Sequence, residues 1–165
     1  MSKTRLVQIV LLIAGIAIAV NLYFKYRVAP DIAFPTLKLK TMDGAEVKIS
    51  DYRGKVIFLN FWATWCGDCI REMPSIIKAQ EQLKNDSIVF LFVSDETAEK
   101  VKAFDERKGY GLNYLLSAQT MHELEINAIP TTYLIGKDGK VKFTKVGRDE
   151  WDSPDMIGRI RGYCK

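Results

Sequence analysis

The pattern of apolar and polar positions predicts a domain in which strands and helices follow one another. Residues 37–40 and 47–49 alternate in polarity on either side of Asp43-Gly44, which predicts a β-hairpin with a tight turn. Val56–Phe61 and residues 88–93 are continuously apolar, as expected of strands that are covered on both faces. These runs predict a sheet with a buried centre.

The remaining periodic segments predict four helices and two more strands. They are a helix over residues 66–83, a helix over Ala98–Lys108, a short helix over 120–126, strands over Thr131–Ile135 and Val141–Val146, and a weak helix over 151–163 whose start Pro154 limits. The order of elements is typical of an α/β fold with one mixed sheet flanked by helices.

An almost wholly apolar run at residues 6–24 precedes this domain, interrupted only by Gln8 and Asn21. Its length of about 19 residues is close to the roughly 20 that a helix needs to cross a bilayer. Two basic side chains flank it on each side, and the free α-amino group favours a cytoplasmic N-terminus. We therefore predict a transmembrane anchor over residues 1–26, with the rest of the chain outside the cytoplasm.

A cleaved signal peptide is the alternative for this run. The triplet Ala17-Ile18-Ala19 is compatible with cleavage after Ala19, but the apolar run continues to Phe24, and Tyr23 and Phe24 resemble an interfacial aromatic belt. Either reading exports the domain to a compartment that permits cysteine redox chemistry. Residues 27–36, which include Pro30, read as a tether, and residues 37–165 as the folded domain.

Composition narrows the classes of function. The 165 residues are 48% hydrophobic and 27% charged with a net charge of +4, which suits one folded domain with an appendage. No basic run is interleaved with aromatic residues, so a nucleic-acid partner is not expected. Three cysteines are an odd number and too few for a disulfide framework, but two of them form a C-x-x-C motif.

Cys66 and Cys69 lie where a buried strand ends and a helix begins. A helix N-terminus presents free N–H groups and the positive end of the helix dipole, and both favour a thiolate. A thiolate is the species that attacks a disulfide. We therefore predict Cys66 as the nucleophile and Cys69 as the thiol that resolves the mixed disulfide.

Other roles for the motif find less support. A structural zinc site needs about four ligands, and the remaining candidates, Cys164 and His122, are distant and unpaired, so no metal is expected. A chance C-x-x-C does not explain the strand before it, the helix after it or the tryptophans around it. We expect His122 at the surface or the core edge, and Cys164 at a frayed terminus as a bystander thiol that could link two chains under oxidising conditions. A monomer is otherwise expected.

Three separated motifs resemble one known family. They are Phe61-Trp62-Ala63-Thr64-Trp65-Cys66-x-x-Cys69 with Glu72-Met73-Pro74 after it, Lys48-Ile49-Ser50-Asp51-Tyr52-Arg53-Gly54-Lys55 before it, and Ile129-Pro130-Thr131-Thr132-Tyr133-Leu134-Ile135 with Asp138-Gly139-Lys140. In this order they resemble the TlpA/ResA branch of the thioredoxin superfamily over about residues 30–160. The resemblance implies a thioredoxin-like fold with an N-terminal β-hairpin behind the anchor.

The resemblance also implies that the Ile129–Pro130 peptide bond is cis and faces the cysteines. Such a bond is physically accessible, since holding X-Pro in the cis form costs only about 0.5–1 kcal/mol. A proline there leaves a backbone edge on which a substrate chain can be hydrogen-bonded. The alternative is an ordinary proline at the start of a strand.

Glu72 follows Cys69 by one helical turn and can lie near the sulfurs. The resemblance implies that a glutamate here tunes the thiols and relays protons, and the alternative is a solvated helix carboxylate. Thioredoxins themselves carry a buried aspartate where this chain has Asn60, and an amide cannot accept a proton in that way. This departure makes Glu72 the stronger candidate for the proton acceptor near the cysteines.

The residues between the cysteines, Gly67 and Asp68, also depart from the common pattern, which has a proline at the second position. The charge of Asp68 opposes the helix terminus and disfavours a thiolate on Cys66, so we predict a weaker oxidant than DsbA. Trp62 and Trp65 cover the site or simply pack, and Trp65, beside Cys66, is the better candidate for a functional role.

The predicted function is thiol–disulfide exchange on protein substrates outside the cytoplasm, most directly disulfide reduction, with apocytochrome c cysteines as one example that the resemblance implies. Electrons would come from a membrane-embedded thiol donor, without a cofactor. One rival is a peroxiredoxin-like thiol peroxidase, but the motif P-x-x-x-T-x-x-C is absent because Ala63 stands in place of the threonine. The other rival is a non-catalytic module that binds client proteins, against which the intact Cys66 and Cys69 argue.

Overall fold

The computed structural model describes residues 3–25, 32 and 34–165. In chain order the elements are α1 Lys3–Lys25, β1 Leu39–Thr41, β2 Glu46–Val47, β3 Val56–Phe61, α2 Gly67–Gln82, β4 Ile88–Ser94, α3 Ala98–Lys108, β5 Tyr114–Ser117, β6 Thr131–Ile135, β7 Val141–Val146 and α4 Pro154–Cys164. Short 3₁₀ helices cover Phe34–Thr36 and Ile49–Tyr52.

The seven strands form one mixed sheet in the order β2-β1-β5-β4-β3-β6-β7. β3 runs parallel to β4, and β4 runs parallel to β5, whereas the remaining neighbours are antiparallel. The predicted α/β fold with a mixed central sheet is therefore confirmed. The N-terminal hairpin is present with shorter strands than predicted, and Gly44 takes a left-handed conformation (φ 93°) in its turn.

Strand β3 separates two apolar layers, because successive side chains of a strand point to opposite faces. Val56 and Phe58 join the layer that α2, α3 and α4 cover. Ile57, Leu59 and Phe61 join the layer on the other face, beneath the segment around Phe34 to Ile49. Every residue of β3 is buried, so its continuous apolar run is explained by cover on both sides.

The predicted helix over residues 120–126 is wrong: the segment makes a single turn. Thr120 and Glu123 exchange the reciprocal hydrogen bonds that start a helix, and Leu124 N–H donates to the Thr120 carbonyl. Glu125 then adopts a left-handed conformation (φ 57°), which a continuing helix cannot accommodate. The turn ends there.

Strand β5 was not predicted from the pattern. It pairs antiparallel with β1 and parallel with β4, so it joins the N-terminal hairpin to the rest of the sheet. Its four residues are too few to show a period of their own.

The prediction that Cys164 lies at a frayed terminus is wrong. Cys164 is the last residue of α4, is buried against the helical layer of the core, and is a free thiol. Burial, with the charge of Asp86 as a second cause, raises the pKa of this thiol. Both effects reduce its reactivity, because the thiolate is the reactive species.

The N-terminal run forms helix α1, whose described side chains between Val7 and Ile18 are exposed. Over the side chains that the structure describes, no helix is long and apolar enough to cross a membrane. Much of the predicted tether over 27–36, including Pro30, and the side chains of Tyr23 and Phe24 lie outside the described residues.

Candidate active site

The two predicted redox cysteines lie together at the N-terminus of α2 and form a disulfide with a Cα–Cα distance of 5.3 Å. Cys66 is the N-cap residue of the helix, and its Sγ accepts a hydrogen bond from the backbone N–H of Cys69 at 3.1 Å. A free N–H group of the helix N-terminus, that of Cys69, therefore points at the nucleophilic sulfur, as the strand–helix junction predicts.

Access to the pair is restricted. Cys66 is 6% exposed and Cys69 is 1% exposed, so the first cysteine is the one that a substrate reaches. The neighbouring Trp65 is 73% exposed. By contrast, Trp62 is fully buried against Phe104 and Tyr114. Of the two tryptophans, Trp62 packs in the core, and Trp65 presents an aromatic surface beside the disulfide.

The Ile129–Pro130 peptide bond is cis, as the resemblance implies. Pro130 precedes β6, and its carbonyl accepts a hydrogen bond from Gly147 N–H. The carbonyl oxygen of Ile129 lies 3.7 Å from Cys66 Sγ. The predicted proximity of this peptide bond to the cysteines is thus observed, and a reduced Cys66 thiol in this position would face a hydrogen-bond acceptor.

Glu72 is 1% exposed, so it is not the solvated helix carboxylate that we considered as the alternative. Its carboxylate accepts hydrogen bonds from Asn60 Nδ2 at 2.9 Å, Trp151 Nε1 at 3.0 Å and Asp149 N–H at 3.3 Å. Asn60 Nδ2 also donates to Thr132 Oγ1 at 2.8 Å. Strand β3 and the loop with Asp149 and Trp151 therefore hold the carboxylate beneath α2, and Thr132 of β6 holds the Asn60 amide in turn.

Burial raises the pKa of Glu72 to about 7. The hydrogen bonds from Trp151, Asp149 N–H and Asn60 lower the pKa but only partly offset desolvation, and the charge of Asp149 raises it further. A carboxyl group with this pKa exchanges a proton near neutral pH. It stands one helical turn from Cys69, on the same helix.

Asp68 is exposed and forms a salt bridge with Arg71 at 2.7 Å. Arg71 Nη1 also lies 3.3 Å from the position that a Cβ on Gly67 would occupy. The guanidinium therefore lies over the backbone of the motif and partly balances the charge of Asp68. Sequence reasoning weighed Asp68 without this partner.

Sequence reasoning also missed Glu96, which fixes the loop before Cys66. Its carboxylate accepts hydrogen bonds from Thr64 N–H at 2.6 Å and Thr64 Oγ1 at 2.9 Å. Its position along the chain could have indicated this role. Glu96 follows β4 and Thr64 follows β3, and the carboxyl ends of parallel neighbouring strands meet at the same edge of the sheet. Trp151 and Asp149, which hold Glu72, gave no comparable signal.

His122 is exposed, and Cys164 lies in the core at the end of α4. Among the described residues, no group of three or more His, Cys, Asp or Glu could hold a metal ion. The structure therefore brings Cys66, Cys69, Ile129 and Pro130 together, with Glu72 buried below and Trp65 exposed beside them.

The fold and the redox pair place the protein among the thioredoxin-like thiol–disulfide oxidoreductases. The model of the AhpC/TSA family matches residues 30–144. The thiol–disulfide oxidoreductase ResA of Geobacillus kaustophilus is 35% identical over an alignment of 144 residues that covers 85% of this chain and 83% of that protein. The chain therefore belongs to the AhpC/TSA family and, within it, groups with the ResA thiol–disulfide oxidoreductases.

Solved structures agree on the fold. StoA from Bacillus subtilis is 23% identical with a TM-score of 0.62, and the match covers 81% of this chain and 99% of StoA. A thiol:disulfide interchange protein from Bacteroides sp. is 22% identical with a TM-score of 0.65, over 83% of this chain and 88% of that one. With the ResA relatives, the Cys66–Cys69 pair makes the protein an oxidoreductase that carries out thiol–disulfide exchange.

Proposed function

We propose that the protein reduces disulfides of protein substrates outside the cytoplasm, with Cys66 as the attacking thiol and Cys69 as the resolving thiol. The observation that carries this proposal is the Cys66–Cys69 disulfide at the N-terminus of α2, with the carbonyl of Ile129 3.7 Å from Cys66 Sγ. Cys66 is also the more exposed cysteine of the two.

Each turnover transfers two electrons to the substrate. The Cys66 thiolate attacks a substrate disulfide, forms a mixed disulfide and releases one substrate thiolate. The Cys69 thiolate then attacks Cys66 Sγ, releases the second substrate thiolate and leaves the Cys66–Cys69 disulfide. The backbone edge at Ile129 and Pro130 positions the substrate chain, and Trp65 packs against it.

Glu72 is proposed to take up the proton that Cys69 loses before it attacks. Its pKa of about 7 lets the carboxyl both accept and release a proton at neutral pH. Gly67 and Asp68 tune the potential of the pair, with Arg71 moderating the charge of Asp68.

The cellular setting is the second part of the proposal. The apolar sequence of residues 6–24, only part of whose side chains the structure describes, supports a membrane anchor that leaves the domain on the outer face. A membrane-embedded thiol protein would then return the pair to the dithiol state, and apocytochrome c cysteines are the proposed substrate. No added cofactor is required, and the protein is proposed to act as a monomer.

The reduction potential of the Cys66–Cys69 pair tests the direction of electron flow. We expect a value near that of thioredoxin, roughly −270 mV, in equilibrium with dithiothreitol or glutathione. A value near roughly −120 mV, as in DsbA, would make the protein a disulfide donor and contradict the proposal. Cys66→Ser should abolish the reduction of a soluble disulfide substrate, whereas Cys164→Ser, which changes the buried third thiol, should leave it intact.

A further inference from the structure

A cleft of about 710 Å³ opens at the end of the sheet opposite the redox pair. It lies at the start of β3, beside Ile57, whereas Cys66 follows the other end of that strand. The four residue steps along the strand from Ile57 to Phe61 alone separate the two ends by about 13 Å. The size is typical of a ligand site, and the proposed exchange reaction does not use it.

The floor of the cleft is apolar. Phe34, Ile49 and Ile57 are buried members of the core layer opposite the helices, and Ile32 and Tyr52 pack against that layer while half-buried. These side chains form a surface suited to hydrocarbon or to the uncharged part of an amphiphile.

The rim of the cleft is basic. Its lining includes five basic side chains, Lys48, Arg53, Lys55, Lys137 and Lys140, against one acidic side chain, Asp138. Asp138 is already bonded to Lys142 at 2.8 Å, and Lys137 donates to the Lys165 carbonyl. The other four cations take part in none of the ion pairs found among residues 3–25, 32 and 34–165, so their charge is available to an anion.

We propose that this cleft binds the headgroup of an anionic phospholipid, with the phosphate among Arg53, Lys55 and Lys140 and the glycerol and first methylenes on the apolar floor. A basic rim over an apolar floor matches an amphiphile that carries a negative phosphate. The inference rests on the membrane anchor proposed above. Ile32 in the cleft lies seven residue steps along the chain from Lys25 at the end of α1, a reach of at most about 25 Å. An anchored domain can therefore bring the cleft to the membrane surface.

The test uses the full chain in lipid nanodiscs that contain either phosphatidylcholine alone or phosphatidylcholine with phosphatidylglycerol. Lysines are acetylated briefly, and mass spectrometry reads the rate at each site. We expect acetylation of Lys55 and Lys140 to slow at least about threefold with phosphatidylglycerol. Lys100 and Lys102, exposed on α3, serve as internal controls and should react at the same rate in both kinds of disc.

Matched charge reversals test the role of the rim. Arg53→Glu should abolish the protection of Lys55 and Lys140, whereas Arg107→Glu, an equal change of charge on exposed α3, should preserve it. Reduction of a soluble disulfide substrate should be unchanged in both variants, which confirms that they fold.

The remaining outcomes separate the possible sources of the anion and the two proposals. Equal protection with inorganic phosphate in phosphatidylcholine discs would identify a site for a free anion and overturn the lipid proposal. Equal protection of all lysines by phosphatidylglycerol would show unspecific attraction and would also overturn the lipid proposal. Unchanged acetylation rates at Lys55 and Lys140 would overturn it as well. A chain that fails to enter the discs would refute the anchor, and the lipid site with it; entry without protection would refute the lipid site alone.

Discussion

Among single residues, the buried carboxyl of Glu72 makes the largest link between stability and pH. In the unfolded chain it titrates near 4.5, whereas in the folded protein burial raises its pKa to about 7. Between these values the folded protein holds a proton that the unfolded chain has lost. The free energy of unfolding therefore falls by at most about 3 kcal/mol as the pH rises through this window. Above the window it stays level.

Replacing Glu72 by Gln removes this titration. We expect the free energy of unfolding of Glu72→Gln, relative to wild type, to increase by up to about 3 kcal/mol between pH 4.5 and pH 7, and then to stay level. Urea unfolding of the oxidised proteins at several pH values measures the difference without interference from the thiols. Glu81→Gln, an exposed change on the same helix, should show no such trend. A flat difference for Glu72→Gln would mean that the carboxyl titrates normally.

At the scale of elements, a glycine that caps one helix and a glycine inside another should respond to alanine substitution with opposite changes in stability. Gly109 ends α3 in a left-handed conformation (φ 66°), so alanine there should cost about 1–2 kcal/mol. Gly158 lies inside α4, where an added Cβ meets nothing within 4 Å, so alanine there should stabilise the protein by about 1 kcal/mol.

The urea midpoints of Gly109→Ala and Gly158→Ala should therefore move in opposite directions from that of the wild type. Neither glycine has side-chain neighbours within 4 Å of an added Cβ, so backbone conformation alone sets the sign. Two shifts in the same direction would show that the end of α3 or the interior of α4 differs from the structure.

The same scale shows what the sequence could predict. Val56–Phe61 and Ala98–Lys108 have the predicted bounds because each segment carries its own signal, a continuous apolar run or a helical period. Tyr114–Ser117 carries no such signal, and its state depends on β1, more than 70 residues away. Residues 120–126 begin with correct capping residues, but Glu125 stops the helix after one turn. The local sequence pattern therefore predicted the elements whose conformation nearby residues determine. It did not predict the strand that depends on a distant partner.

The candidate site divides in the same way. Cys66, Cys69 and Pro130 could be found because the chemistry needs those residue types at those places. The burial of Glu72 could not be derived from its spacing, because its hydrogen bonds come from Asn60 on β3 and from the Asp149–Trp151 loop, 77 to 79 residues further along the chain.

At the scale of the whole molecule, the redox pair and the fold share one thermodynamic cycle. Oxidised and reduced proteins both unfold, and the unfolded pair behaves as a flexible dithiol. The difference between the two unfolding free energies therefore equals the difference in reduction potential between the unfolded and the folded pair, multiplied by the charge of the two electrons transferred. For each 30 mV by which the folded pair is more reducing than the unfolded pair, the oxidised protein is about 1.4 kcal/mol more stable against unfolding than the reduced protein.

The surroundings of the sulfurs decide the sign of this difference. A strong oxidant such as DsbA owes its potential to a stabilised reduced form. Here Cys69 is fully buried, Arg71 is largely engaged by Asp68, and the carboxylate of Glu72 lies one turn away, so burial and nearby negative charge disfavour a thiolate. We expect the oxidised protein to unfold at a higher urea concentration than the reduced protein, with Cys164→Ala in both samples so that one thiol pair is compared. A more stable reduced form would instead indicate an oxidant, and it would reverse the direction of electron flow proposed for this protein.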